Sequence, residues 1–231
     1  MKKLRLIVCG AAGRMGTMVL EAAARDPRFE VAGAVVRPPR GSRLREPSAA
    51  EFAGEFRGAD LAIDFSAPDA SVRHAAAAAL SRTPIVIGVT GFTSAQRAAL
   101  ARSARRTAAF ISPNMSPAMN LLFHLASLAR LGLPGYDARI VEAHHTAKKD
   151  APSGTALRLA EAAGGAPVAS LRAGTIIGDH TLVLAGPGER LELTHRADDR
   201  GVFARGALDA GAWLIGRRPG VYDFRDLLGL R

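Results

Sequence analysis

A short apolar run at residues 4–8 is followed at once by glycines at positions 10, 13 and 16, in Gly10-Ala-Ala-Gly13-Arg-Met-Gly16, and this start constrains the fold more than any other feature. Three glycines so spaced suit a turn from strand to helix. Without a Cβ the backbone approaches a phosphate closely, and the helix packs tightly on the strand. Residues 17–25 then show an amphipathic helical pattern, which Asp26-Pro27 stops. Residues 30–36 are again apolar. Strand, glycine turn, helix and strand make a βαβ unit. The helix start would offer its amides and positive dipole end to a pyrophosphate. Gly10, Ala11, Ala12, Gly13, Arg14 and Met15 are therefore candidate dinucleotide-binding residues. A plain strand-to-helix turn can carry the same spacing, but the flanking elements favour the dinucleotide.

The alternation continues. Leu61-Ala-Ile-Asp64-Phe-Ser reads as a buried strand with a polar tip, and Asp69 is a candidate cap for an alanine-rich helix at 70–81. Residues 84–91 read as a strand ending in glycines, 94–106 as a helix, and 108–111 as a strand closed by Ser112-Pro-Asn114. This order predicts an α/β fold, with a Rossmann-type doubly wound parallel sheet over residues 1–114. Ligands of such sheets bind at the carboxyl ends of the strands, which adds Gly88, Val89, Thr90, Ser112, Pro113, Asn114 and Met115 to the coenzyme candidates. After Asn114 the pattern changes. Helices at 120–131 and 155–163 accompany strand-like stretches at 138–142, 174–177, 181–185, 190–197 and 202–204. They predict a smaller α+β substrate and oligomerisation domain at 115–206, with a helix at 207–215 and an apolar tail returning to the first domain (207–231).

Composition narrows the partners. The net charge is +10, but the basic residues are scattered and lack the interleaved aromatics of a single-strand binder. The expected partners are small anions, with no nucleic acid and no membrane. A single cysteine, Cys9, suits a reducing compartment, and the apolar run behind the basic start is too short for a signal-peptide core. These readings predict a cytoplasmic protein. The ribose-binding acid usual at the tip of the second strand is missing; Arg37 stands there, with Arg40 and Arg43 nearby. An arginine suits a 2′-phosphate, so NADP is expected to serve at least as well as NAD.

The run Glu142-Ala-His-His-Thr-Ala-Lys-Lys-Asp-Ala-Pro-Ser-Gly-Thr155 concentrates acid–base groups before a helix that Asp150 or Ser153 would cap. A helix start with a lysine beside it makes a carboxylate cradle, and a histidine next to it is a candidate acid or base. The plainer reading is a basic surface loop before a capped helix. His144 and His145 are adjacent, so on an extended segment they point to opposite sides, and no convergent ligand set for a metal is expected. His74 and His124 fall in helical patterns and are expected to pack or face solvent. His180 and His195 are expected to be structural.

The same run resembles the dihydrodipicolinate (4-hydroxy-tetrahydrodipicolinate) reductase family of bacterial lysine and diaminopimelate biosynthesis. So do Gly10–Gly16, Asp64-Phe-Ser66, Gly88-Val-Thr-Gly-Phe92, Asn114-Met-Ser116, Arg172-Ala-Gly-Thr-Ile-Ile-Gly-Asp-His-Thr181, Gly188-Glu-Arg-Leu-Glu-Leu-Thr-His195, Trp213-Leu and Pro219-Gly-Val-Tyr. The resemblance covers essentially the whole chain. It implies reduction of a small cyclic dicarboxylate with NADP or NAD, hydride going to C4. His144 matches the proton donor and Lys148 the catalytic lysine. His145 matches a substrate contact, and Gly154 and Thr155 the holders of a substrate carboxylate. It also implies a homotetramer assembled through the second domain's sheet. Ala147 departs from the family, replacing a residue that is often basic. The readings left beside it are another two-domain Rossmann dehydrogenase, which leaves the cradle unexplained, and a dinucleotide-sensing regulator, which leaves the histidines without work.

Overall fold

The computed structural model describes residues 2–36 and 49–230. Arg37, Arg40 and Arg43, on which the coenzyme expectation rests, lie outside the described residues. The chain divides into two compact units, Met1–Met115 with Phe203–Leu227, and Ser116–Val202 with Leu228–Arg231.

In the first unit the order is β1 (Leu4–Cys9), α1 (Arg14–Arg25), β2 (Phe29–Val35), α2 (Ala49–Phe56), β3 (Leu61–Asp64), α3 (Pro68–Ser81), β4 (Ile85–Ile87), α4 (Ser94–Ala104) and β5 (Ala108–Ile111). In the second it is α5 (Pro117–Gly132), β6 (Asp137–His144), α6 (Gly154–Ala162), β7 (Val168–Arg172), β8 (Asp179–Gly186) and β9 (Glu189–Arg196). The chain then forms α7 (Gly201–Leu214), β10 (Gly220–Tyr222) and α8 (Phe224–Leu228).

The first sheet runs β10-β5-β4-β3-β1-β2 with every pair parallel. A parallel sheet needs cover on both faces, so its strands read as nearly unbroken apolar runs. Leu61, Ala62, Ile63, Ile85, Val86 and Ile87 are all at 0 % exposure. The alanines of α3 and the phenylalanines of α2 pack in the same core as Ile7, Cys9 and Ile85. Burial, then the charge of Asp64, pushes the Cys9 thiol well above its ordinary range, as befits a buried hydrophobe. Gly211 lets α7 lie close to β3, because a Cβ there would come within 2.4 Å of the Leu61 side chain.

The second sheet is mixed, β7-β6-β8-β9, with β6 and β7 parallel and the other pairs antiparallel. Its inward face (Ile140, Leu182, Leu184) packs with Met119, Leu122, Phe123 and Leu159 of α5 and α6. Among the described residues, no helix is long and apolar enough to cross a membrane.

Several local expectations change. Asp69 does not cap α3: Ala67 is the N-cap, Pro68 opens the helix, and Asp69 instead accepts from the Gln96 side chain. Residues 202–204, expected as a strand, belong to α7, whose buried Ala204, Ala207, Leu208 and Gly211 recur at helical spacing. Residues 174–177 are not a strand; the strand is Val168–Arg172, and Gly174 turns the chain at φ +48°.

Candidate active site

In the first unit the turn after β1 lies where the sheet order reverses, between β1 and β3. The ladder runs on past the strand ends: Phe65 N donates to Cys9 O, Gly88 N to Asp64 O and Ser112 N to Ile87 O. Gly10–Met15, Gly88–Thr90 and Ser112–Met115 thus continue three of four consecutive strands at their carboxyl ends, as expected of coenzyme segments. Gly10 has φ +76°, and a Cβ there would meet the Phe65–Ser66 backbone at 2.8 Å. At Gly16 it would meet Gly10 O at 2.1 Å, so α1 packs directly on the turn. The N-cap of α1 is Gly13, without a side-chain capping bond, and its first turn holds no acid. An uncapped helix start behind a Cβ-free cradle fits a dinucleotide's diphosphate. Val89 and Met115 are buried, and Ser112 Oγ donates to Asn114 O.

In the second unit the strand register builds the site. Glu142 on β6 pairs with Ser170 on β7 and with His180 on β8, and His180 pairs with His195 on β9. A polar row therefore crosses the inward face of the sheet. Two helix starts rest on it. Ser153, the N-cap of α6, accepts from Ala156 N and lies 3.3 Å from His180 Nε2. Ser116, the N-cap of α5, lies 3.2 Å from His195 Nε2. Of the two expected caps for α6, Ser153 is the one used.

His144 ends β6 and is buried, its Nδ1 hydrogen-bonded to Glu142 Oε2. Glu142, at 0 % exposure, also accepts from Arg172 at 2.7 Å. Burial works to raise the Glu142 carboxyl, but Arg172, Ser170 and His144 outweigh it and hold it at about 2. As a carboxylate it only accepts, so Nδ1 of His144 carries the proton and Nε2 faces the other way. Gly178 stands beside Nε2 without a side chain: a Cβ there would lie 3.1 Å from it. Burial pulls His144 below the ordinary imidazole range, Glu142 pushes back, and Lys148 and Arg172 pull it down further. The His180 ring meets His144 edge-on at 5.2 Å, and burial first, then His144, holds His180 down at about 4.

His145 points away from this cluster, as its neighbour position predicts, and its Nε2 accepts from Arg200 at 2.9 Å. Lys148 donates to both oxygens of Asp150 at 2.8 Å. Gly154 and Thr155 open α6.

The expectation that no histidines converge needs correction. Candidate ligand atoms of Glu142, His144 and His180 lie within 4.8 Å of one another. Adjacency hid this, since His144 converges with His180 and not with His145. Both Glu142 oxygens are already engaged, one by a permanent cation, so the set reads as an acid–base cluster and not as a cation site. Arg172, His180 and Arg200 were not among the site residues expected from sequence. The two-residue hairpin Pro187–Gly188 carried a usable signal: it pairs His180 with His195 across β8 and β9.

Residues 4–115 match the family model for the dihydrodipicolinate reductase N-terminus, and residues 118–228 the model for its C-terminus. The 4-hydroxy-tetrahydrodipicolinate reductase of Anaeromyxobacter dehalogenans is 43 % identical over 267 aligned positions, covering 98 % of each chain. The Xanthomonas euvesicatoria enzyme of the same name is 45 % identical, covering 97 % of this chain and 98 % of its own. Among solved structures, dipicolinate-bound dihydrodipicolinate reductase from Paenisporosarcina has a TM-score of 0.84 at 21 % identity, covering 98 % of this chain and all of that one. That last likeness speaks for the fold alone. Neither a different two-domain dehydrogenase nor a sensing regulator accounts for both family matches. The chain belongs to the dihydrodipicolinate reductase family.

Proposed function

We infer that the chain reduces 4-hydroxy-tetrahydrodipicolinate to tetrahydrodipicolinate with NAD(P)H, in diaminopimelate and lysine biosynthesis, and that His144 supplies the proton. The observation that carries the site assignment is the convergence, within one unit, of a carboxylate-anchored histidine, a lysine and a helix start. When bound, NAD(P)H supplies the hydride that goes to C4 of the substrate. Gly10–Met15, Gly88–Thr90 and Ser112–Met115 would hold it. The chain's own residues do the rest. His144 holds a proton at Nε2 in its charged form and gives it to the neighbouring carbon. Lys148 offsets negative charge on the substrate and in the transition state, exchanging Asp150 for a substrate carboxylate. The start of α6 at Gly154 and Thr155 receives a carboxylate, because the first turn of a helix points its amides and positive dipole end at an anion. His145, held by Arg200, lies next in the chain as a substrate contact.

Arg37 supports use of NADP at least as readily as NAD. The buried, single cysteine supports a reducing, cytoplasmic setting. The outward face of the second sheet supports a homotetramer assembled through it: Val141 is 46 % and Leu171 53 % exposed on adjacent strands, an expensive arrangement for a lone chain. The test of function is direct. Purified chain, NADPH and the condensation product of pyruvate with aspartate semialdehyde should give a steady fall in nicotinamide absorbance. A folded sample that gives none with either coenzyme defeats the reading.

A further inference from the structure

We propose that Glu142, anchored by Arg172, is a positioning residue for the reduction, holding His144 by Nδ1 so that Nε2 presents the proton beside Gly178. The proposal rests on the reading of His144 as the proton donor.

Four observations carry it. Glu142 is fully buried, and each of its oxygens has a partner, His144 on one and Arg172 on the other. A buried carboxylate costs stability unless it is compensated, and here the compensation includes a guanidinium that never loses its charge. The register fixes the geometry: Glu142 and His144 are two apart on β6, so both point to the inward face, and Arg172 pairs with His144 across β7. Finally, Gly178 lies beside Nε2, where any side chain would begin 3.1 Å from that nitrogen and crowd a reacting atom.

The charged groups facing His144 act in both directions. Glu142 on its own strand favours the imidazolium. Lys148 from the following loop and Arg172 from β7 oppose it, and His180 on β8 stands edge-on beside it. Asp150 is engaged with Lys148, and His195 lies one strand beyond His180. Among the described residues, Glu142 is thus the anionic group that both bonds to the ring and supports its charged form. A carboxylate in this place fixes the tautomer and stabilises the imidazolium from which the proton leaves. A role confined to holding the strand would do neither.

The test is the pH dependence of kcat/KM for the full-length enzyme, its Glu142→Gln and Arg172→Gln variants and His144→Gln, with coenzyme binding followed separately by nucleotide fluorescence. Activity that needs protonated His144 falls as pH rises through its titration. Glu142→Gln should move that fall to lower pH, reduce the rate at neutral pH about tenfold or more, and recover toward wild type on acidification, since one unit in the donor's titration is a factor of ten. Arg172→Gln, which removes an opposing cation, should move the fall to higher pH. Coenzyme affinity should hold in both. Glu142→Gln that loses the same factor at every pH, or none, overturns the proposal. If Glu142→Gln does not fold, an unmoved profile in Arg172→Gln overturns it. His144→Gln distinguishes the failures: if that variant keeps its kcat, the proton-donor reading falls, whereas an inactive His144→Gln beside an unshifted Glu142→Gln condemns the positioning role alone.

Discussion

Asp64 and Glu142 are both carboxylates at 0 % exposure beside a histidine, one in each unit, and they differ in the rest of their surroundings. Asp64 closes β3, with Oδ2 at 3.3 Å from His74 Nδ1 and Oδ1 accepting from Ser66 N. His74 is itself locked in the core, edge-on to Phe52 at 4.9 Å. Among the described residues no arginine or lysine pairs with Asp64; its Oδ2 has the His74 ring beside it and no hydrogen bond. Glu142 has its histidine and Arg172 as well. A histidine packed in the core against Phe52 and Asp64 is tied to the fold. A carboxylate with a permanent cation leaves its histidine able to gain and lose a proton without stranding a charge. The first pair steadies the Phe65–Ser66 turn against Gly10; the second is the one proposed to serve the chemistry.

The comparison sharpens first at Lys148. Lys148→Ala should lower kcat about 10²–10⁴-fold, in the range of a lost acid–base or charge-stabilising group, with coenzyme affinity retained. Steady-state kinetics beside nucleotide binding would show it; an equal loss in both contradicts the separation of roles. A second expected effect lies in acid. The folded Glu142 carboxyl is held at about 2, below the usual carboxylate range. Its contribution to stability is therefore present above about pH 4.5 and is lost as pH falls toward 2. Acid unfolding followed by circular dichroism should show this loss in the wild type and a flatter profile in Glu142→Gln. The smallest effect is steric. Gly178→Ala places a methyl 3.1 Å from His144 Nε2, tight enough that the ring must shift by a few tenths of an ångström. A fall in kcat of about tenfold is expected, since small displacements of reacting groups are costly, with melting temperature and coenzyme binding unchanged.

Much of the first unit was legible because its elements repeat one local pattern. The glycine turn, the apolar strands and the alanine-rich helix need no knowledge of distant partners. The helix α2 was missed although Phe52, Ala53 and Phe56 recur at helical spacing, because eight residues after a proline- and arginine-rich stretch make a weak pattern. In the second unit β7 was missed for another reason. Val168–Arg172 is an edge strand, mostly exposed, without a clean alternation to betray it. That omission hid Arg172, whose place beside Glu142 follows from the parallel pairing of β6 with β7. His180 was hidden likewise, since its approach to His144 depends on strand order. The sequence run around His144 holds the groups proposed to react; Arg172, which bonds to Glu142, and His180, which flanks His144, come from the neighbouring strands.

The most direct measurement takes the two histidines together, recording melting temperature and kcat for His74→Ala and His144→Gln under one set of conditions. His74→Ala should lose about 3 kcal/mol, seen as a fall in Tm of roughly 5–10 °C, because a buried ring packed edge-on to Phe52 is removed and a cavity is left beside Asp64. It should keep most of its kcat below the melt. His144→Gln should hold its Tm, because Arg172 still compensates Glu142, and lose kcat about 10²–10⁴-fold. Equal losses of stability in the two variants, or an active His144→Gln, would contradict the division between a histidine that holds the fold and a histidine that moves a proton.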